Sequence, residues 1–544
     1  MKLNRYILTA FAGLALAACS DMDEMTPQSG TLLDSQLAEA NDADPTRVEA
    51  AFNGMYTKLG MPYGALPSNE RPDDFGFIMM SYSNDLEGAD MVTPNSGYNW
   101  FSVCGELSSR NANYANPFIR YASAYNQIAA ANEVIKSYAQ MDQTVADNVY
   151  KLAQGYAMRA FSYLNLAPYF QFNYETSADK PCVPLVTEKT ENFTQNPRVS
   201  VADVYKQILS DLDTAIVKLE GYERPDKAKI DQQVAYGLRA RAYLNMGKWA
   251  EALADAQKAA EGYTPASIAE VSKPSFYDIT DHNWMWGYDM TSVVALKDLA
   301  ANASSWLRSF SAEGYAAACQ VYAQCNVLLY NKIPDTDVRK GWWVDENLTS
   351  PLLETVTWGD AKGNDVATLA IENIKEPFLP YTNVKFGMYT YGSTSNDEDW
   401  PFMRVEEMIL IQAECLLKSG NEPEAKRVLE SFVKTYRDPE YTCDPAVTKR
   451  TLENEIWFQR RVELWGEGFS NSDTRRLNKP LVRFHDENSN FPEAFRFNLR
   501  NDDGWWLLRF PQDEMDTNLA IVDNTEGTSP VQDQNPELRD GVTD

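Results

Sequence analysis

The chain has 544 residues with 49 Lys and Arg against 78 Asp and Glu, a formal net charge of −29, and only two histidines, His282 and His485. That balance excludes nucleic-acid binding through clustered cations and electrostatic docking on an anionic membrane surface, and two histidines without H-E-x-x-H spacing exclude that zinc motif. A Ser-His-Asp or Cys-His nucleophile would have to recruit one of these two, and neither lies in a nucleophile motif, while hydrolysis by paired carboxylates stays open.

Lys2 and Arg5 precede an uncharged stretch from Ile7 to Ala18. It is too short to cross a bilayer, which takes roughly 20 residues, so residues 1–18 are expected to be a signal peptide. Leu16-Ala17-Ala18-Cys19 resembles the lipobox of bacterial lipoproteins, in which Cys19 becomes the lipidated first residue. Residues 19–43 are polar, open on Asp21, Asp23 and Glu24, and read as a lipidated flexible tether. The acids after the cysteine also resemble the surface-export signal of Bacteroidetes lipoproteins. With no later apolar run of about 18 residues, lipid on Cys19 would be the sole membrane attachment.

From residue 44 onward the chain reads as one mostly α-helical domain. Asp44-Pro45 has the form of an N-cap followed by proline, opening a helix to about Leu59. Residues 61–115 show little helical period and read as loop. Asn116-Pro117 repeats the cap-and-proline signal ahead of a helix bearing Ile119, Ile128 and Ile135. GYAMRAFSYLNLA at 155–167 then overlays AYGLRARAYLNMG at 235–247 with six identities in thirteen positions, an internal repeat of the kind that marks stacked helical hairpins. In the second copy Ala242, Gly247, Trp249, Ala252 and Ala259 sit where a tetratricopeptide (TPR) hairpin places its small and aromatic residues, with Trp249 expected to fill the groove. Hairpins are thus expected near 117–170, 200–262 and 401–437, the last turning at Gly420 and Asn421.

Residues 265–400 and 480–544 are rich in Trp, Asn, Pro and Gly and predict long loops with short strands. Trp284, Trp286 and Tyr288 alternate as one face of a strand, and Trp342-Trp343 and Trp505-Trp506 would point to opposite faces of strands. Cys104, Cys182, Cys319, Cys325, Cys415 and Cys443 form no C-x-x-C and are expected to be buried free thiols.

PFIRYASAYNQIAAANEVI (117–135), YAMRAFSYLNLAPYF (156–170), WPFMRVEEMILIQAECLLKSG (400–420) and RRVELWGEGFSNSDTRRLNK (460–479) together resemble the SusD/RagB family of surface nutrient-binding lipoproteins of Bacteroidetes. The last segment resembles that family's R-x-x-E-L-x-x-E-G-x-R followed by Asp and paired basic residues, departing from it at Ser470; FPQDEMDTN (510–518) and QNPEL (534–538) resemble its closing segment, with a long spacer between them. The resemblance implies a mostly α-helical scaffold of TPR hairpins carrying loop-rich, short-stranded insertions. It further implies an outer-membrane, surface-exposed lid on a SusC-type TonB-dependent transporter. Such a lid captures a glycan, or a peptide or other nutrient, with no catalysis and no cofactor. By the same resemblance the ligand face draws on the loops near 61–115 and 265–400.

Two sets of residues follow. Arg460, Glu463, Glu467, Asp473, Arg475 and Arg476 form the motif; Glu463 and Glu467 share a helical face, but the surrounding arginines suit an ion-pair network and not a general acid. For ligand contact the candidates are Asn84, Asp85, Tyr98, Trp100, Trp306 and Tyr315, because flat rings stack on sugar C–H faces while amides and acids bond hydroxyls. Asp85, Glu87 and Asp90 lack the spacing of an EF-hand loop. A surface glycosidase and a TPR scaffold that binds only protein are the remaining alternatives.

Overall fold

The structure is a computed structural model and describes residues 46–95, 99–290, 303–312, 315–486 and 488–543. Helix α1 (Thr46–Thr57) begins in the first of two compact units, Met1–Ala51; everything below belongs to the second, Phe52–Asp544. A 3₁₀ turn at Lys58–Gly60 leads through a loop to α2 (Gly76–Leu86), almost wholly buried. Next come α3 (Ala115–Gln140) and α4 (Ala146–Phe170), which pack on each other. Pro117 is the third residue of α3, behind an N-cap at Tyr114, and not the first as Asn116-Pro117 predicted. Its missing N–H still falls among those the first turn leaves unbonded. Gly155 permits the close approach within this hairpin, since a Cβ there would stand 3.0 Å from Val134 and 3.1 Å from Ile135.

The remaining scaffold continues by neighbour-to-neighbour packing. Helix α5 (Val201–Lys218) is capped by Ser200, and α6 (Gln232–Asn245) by Asp231. Helix α7 (Trp249–Ala260) folds back on α6 after a turn at Gly247, whose φ of +68° favours glycine. Ala235, Ala242, Ala252, Ala256 and Ala259 are fully buried, as helices in close contact require. Trp249, by contrast, is half-buried beneath Lys418, whose Nζ lies 6.0 Å from its ring centre, so it borders the groove without filling it. The last hairpin joins α8 (Val405–Lys418) to α9 (Glu422–Tyr436), with Leu410, Ala413, Leu429, Phe432 and Val433 buried against Ile456 of α10 (Leu452–Glu463). A short helix, α11 (Ser470–Arg476), packs on α2. The mostly α fold with TPR-like hairpins is the one the sequence predicts.

Strand structure is confined to four two-stranded antiparallel pairs among the described residues. The most buried joins Trp284–Tyr288 to Trp400–Arg404, with Trp284 opposite Arg404 and Tyr288 opposite Trp400. All ten residues are buried, so both faces are covered and not one alone. The paired tryptophans are not in strands. Trp342 ends a 3₁₀ turn and Trp505-Trp506 lie in another, and all four indoles turn inward. Carbonyls receive three of the four: Trp342 donates to Val271 O at 3.1 Å, Trp505 to Leu107 O at 2.6 Å and Trp506 to Arg500 O at 2.8 Å, while Trp343 is held by ring contacts with Trp342 and Trp465. The six described cysteines are free, five of them buried and Cys319 partly so.

An ionic cluster fastens these parts together. Glu463, at the end of α10, accepts from Arg437 Nε and Nη2 at 2.8 Å each, and from Arg339 and Arg404 at 3.2 Å. Arg404 also grips Glu467 at 2.8 Å and Glu406 at 3.0 Å, while Lys385 Nζ reaches Glu467 at 2.8 Å and the carbonyls of Glu463 and Trp465. Burial would raise both acids, but Arg437, Arg404 and Arg339 hold Glu463 well below the usual carboxylate range, and Arg404 and Lys385 hold Glu467 down. A carboxylate lowered on folding contributes stability above its unfolded pKa and loses it as pH falls. Below about pH 3, under the unfolded aspartate value of about 3.9, Asp85, Asp281 and Asp399, which burial raises, are protonated folded and unfolded alike and drop out. The thermal midpoint should therefore keep falling between about pH 3 and pH 2; a midpoint that stays level across that range would show the cluster contributes no stability.

Candidate functional site

The loop 61–75 is organised around Asp74. Its carboxylate accepts from Ala65 N at 3.0 Å and Leu66 N at 2.8 Å, and its carbonyl accepts from Tyr63 N at 2.7 Å. This folding sets Arg71 and Asp73 in a two-pronged ion pair, 2.6 and 2.8 Å, with the guanidinium 5.2 Å from the centre of the Trp100 ring. Asn99 controls the next turn. Its amide donates to Thr93 Oγ1 and Pro94 O, both 2.9 Å, and its Oδ1 accepts from Phe101 N at 3.0 Å. Adjacent side chains then part: Trp100 is 38% exposed and Phe101 fully buried.

Phe101 meets Tyr82 and Trp306 edge-on, each with ring centres 4.9 Å apart. Trp306 lies nearly parallel to Tyr315, 18° and 5.1 Å, and Tyr315 is half-buried. Burial, with Glu70 and Tyr315 adding to it, raises the Tyr63 hydroxyl, which shares this neighbourhood. The result is a presented indole backed by a guanidinium and, reached through Phe101, a half-buried tyrosine stacked on a buried tryptophan. Chemically this is a platform for apolar faces that carry polar edges.

Of the sequence-predicted contacts, Trp100 and Tyr315 reach the surface here, and Trp306 stands behind Tyr315, 1% exposed. Asn84 and Asp85 lie on α2 and face elsewhere. Asn84 donates to Gly468 O, and Asp85 accepts from Gly468 N at 3.0 Å and Ser470 N at 2.9 Å, tying down the turn between α10 and α11. Burial pushes Asp85 up to about 7 against those N–H groups. Tyr98 and Cys19 lie outside the described residues. Sequence reasoning passed over Tyr63 and Arg71; the Arg71-Pro72-Asp73 spacing was the one local signal of a pair.

The motif residues are held by one another. Asp473 accepts from Arg460 at 2.8 Å and Arg476 at 3.0 Å, and these two cations outweigh burial to keep it ionised; Arg476 also pairs with Glu414 at 2.5 Å. Arg475 donates to Pro168 O and, at 3.0 Å, to Gln171 O. Glu87 and Asp90 are occupied too, the first by Arg110 and Arg120 and the second by Arg461 at 2.6 Å. Among the described residues no group of three or more His, Cys, Asp or Glu is arranged to hold a metal ion, and no described helix is long and apolar enough to cross a membrane.

The profile of the SusD family matches residues 361–527, and a related SusD-like profile described as starch-binding associating with outer membrane matches residues 76–244. The chain belongs to the SusD family. Among solved structures, a SusD-like carbohydrate binding protein from Bacteroides vulgatus ATCC 8482 is 23% identical, with a TM-score of 0.67 over 88% of this chain and 97% of its own. A laminarin binding SusD-like protein is 18% identical, TM-score 0.62, over 88% and 98%. Surface glycan-binding protein A from Bacteroides uniformis is 16% identical, TM-score 0.60, over 88% and 99%. At these identities the likeness establishes a SusD fold. No curated protein matches the chain.

Proposed function

We propose that this SusD-family chain is a glycan-binding lipoprotein, anchored in the outer membrane through Cys19 and exposed at the cell surface. It captures oligosaccharide without turning it over and hands it to a SusC-type TonB-dependent transporter. The observation that carries this reading is the Trp100 platform. An indole 38% exposed, with the Arg71 guanidinium 5.2 Å from its ring centre, offers a ligand a flat apolar face with a charged edge. A sugar ring stacks its C–H face on such a surface while its hydroxyls bond the charged rim of Arg71 and Asp73. The ionised, fully partnered motif acids support binding over hydrolysis, since a general acid must hold a proton at working pH.

Calorimetry against a panel of oligosaccharides and peptides tests this. Saturable glycan binding is expected, weakened about tenfold in Trp100→Ala, which loses one stacking surface, with the thermal midpoint unchanged. Binding to peptides alone would replace the glycan with a peptide cargo, and turnover of a bound glycan would overturn the reading.

A further inference from the structure

Helices α2, α4, α6 and α11 and the strand Trp400–Arg404 border a cleft of roughly 980 Å³, counting the solvent at its mouth. The rings of Phe77, Tyr169 and Phe469 line it, and so do the amides of Asn84, Asn165 and Asn245. Each amide donates an N–H to the protein, to Gly468 O, Phe161 O and Tyr205 Oη respectively, and offers its Oδ1 to a hydroxyl donor.

The cleft wall carries Arg241, Arg460, Arg475 and Arg476 beside the carboxylates Glu407, Glu467 and Asp473, and of these arginines Arg475 alone bonds no carboxylate. Arg475 is 6% exposed and donates only to backbone carbonyls, and its Nε has no acceptor. Glu87, the acid acting on it, is already shared by Arg110 at 3.1 Å and Arg120 at 3.0 Å. Arg483, influenced by the same Glu87, likewise donates only to carbonyls, among them Gly88 O and Phe495 O. Four arginines thus answer to one carboxylate. Arg460, 2% exposed and also in the wall, spends Nε and Nη2 on Asp473 and leaves Nη1 without an acceptor. A buried guanidinium N–H with no acceptor costs free energy that an incoming anion would recover. The unmatched N–H groups are covered in this structure, so an anion would reach them only with a turn of the guanidinium.

We propose that this cleft is a second ligand site, and that it takes the carboxylate of an acidic sugar on Arg475 and Arg460. The aromatic wall receives the ring and the amide oxygens receive its hydroxyls. An inorganic anion would use the arginines alone and leave the rings and amides without a role. This inference does not rest on the Trp100 platform, which has its own titration.

Calorimetry on the purified full-length chain at low salt would compare glucuronate and galacturonate with glucose, galactose, acetate and sulfate. Saturable binding of a uronate is expected, with the matching neutral sugar weaker by about tenfold or more for loss of a charge-assisted hydrogen bond. Arg475→Met should abolish it. Should that variant fail to fold, Ser472→Phe fills the cleft while leaving every arginine in place, and it should abolish binding too. Arg427→Ala, on the exposed face of α9, should change nothing. Equal binding of neutral sugars, sulfate binding as tightly as uronate, no binding at all, or binding that survives Ser472→Phe would each overturn the proposal.

Discussion

Replacing Glu463 with glutamine is expected to cost about 3–5 kcal/mol, or to leave no folded protein, because breaking a buried pair strands the partner charges. Here three cations lose a shared partner at once. Arg437, Arg404 and Arg339 all donate to this one carboxylate, and each side chain is fully buried. Glutamine keeps the shape but brings one neutral acceptor and an N–H₂ that faces guanidinium donors. Arg404 retains Glu467 and Glu406, and Arg437 retains Glu406, so the cluster weakens without vanishing. Denaturant titration reads the effect. Glu424→Gln, in the exposed pair with Arg427, is the control and should leave the midpoint where it was. A Glu463 variant as stable as the parent would mean that the cations find other partners, and the cluster would lose its claim to fasten the fold.

The second large effect is expected from Trp306→Ala, about 3–5 kcal/mol for a buried tryptophan reduced to a methyl. Its ring lies between the edge of Phe101 and the face of Tyr315. Removing it opens a cavity and releases Tyr315 from the surface on which it stacks. Stability and glycan affinity should therefore fall together, whereas Trp100→Ala should lower affinity alone. Thermal unfolding beside calorimetry separates the two. If Trp306→Ala keeps full stability while losing ligand, the indole would be a direct contact and its burial behind Tyr315 would be the wrong account.

That pair of residues also shows how far the site was legible in the sequence. Trp100 and Trp306 each stand between a polar residue and a large apolar one, Asn99 and Phe101 or Ser305 and Leu307, and nothing local says which one faces water. The choice is made by Phe101 and Tyr315, which close over Trp306, and by Asn99, whose three hydrogen bonds turn Trp100 outward. Asn84 and Asp85 are set away from Trp100 by an equally distant partner: the turn at Gly468 and Ser470, nearly four hundred residues on, takes the Asn84 N–H and the Asp85 carboxylate. The scaffold was more readable because its signal is local. Buried alanines at Ala235, Ala242, Ala252 and Ala259 repeat with helical spacing, and only helices in close contact need them. Trp342-Trp343 failed as a strand pair because alternation is only one way to bury neighbours; a 3₁₀ turn with a distant carbonyl is another.

The antiparallel strands Trp284–Tyr288 and Trp400–Arg404 have a consequence for how this protein can vary. The chain leaves the scaffold at Tyr288 and returns at Trp400, and these two residues are register partners. Paired strands lie about 4.8 Å apart, so everything between is a closed excursion whose two ends already meet. Lengthening such an excursion costs only about 0.6 kcal/mol of closure entropy per doubling. The excursion is also tied down within its span, by Arg339 to Glu463 and by Lys385 to Glu467, so a change of length is least disruptive where it leaves both of those residues in place. The buried strand pair is thus a hem: it fixes where the excursion begins and ends, while Arg339 and Lys385 stitch its middle to the frame.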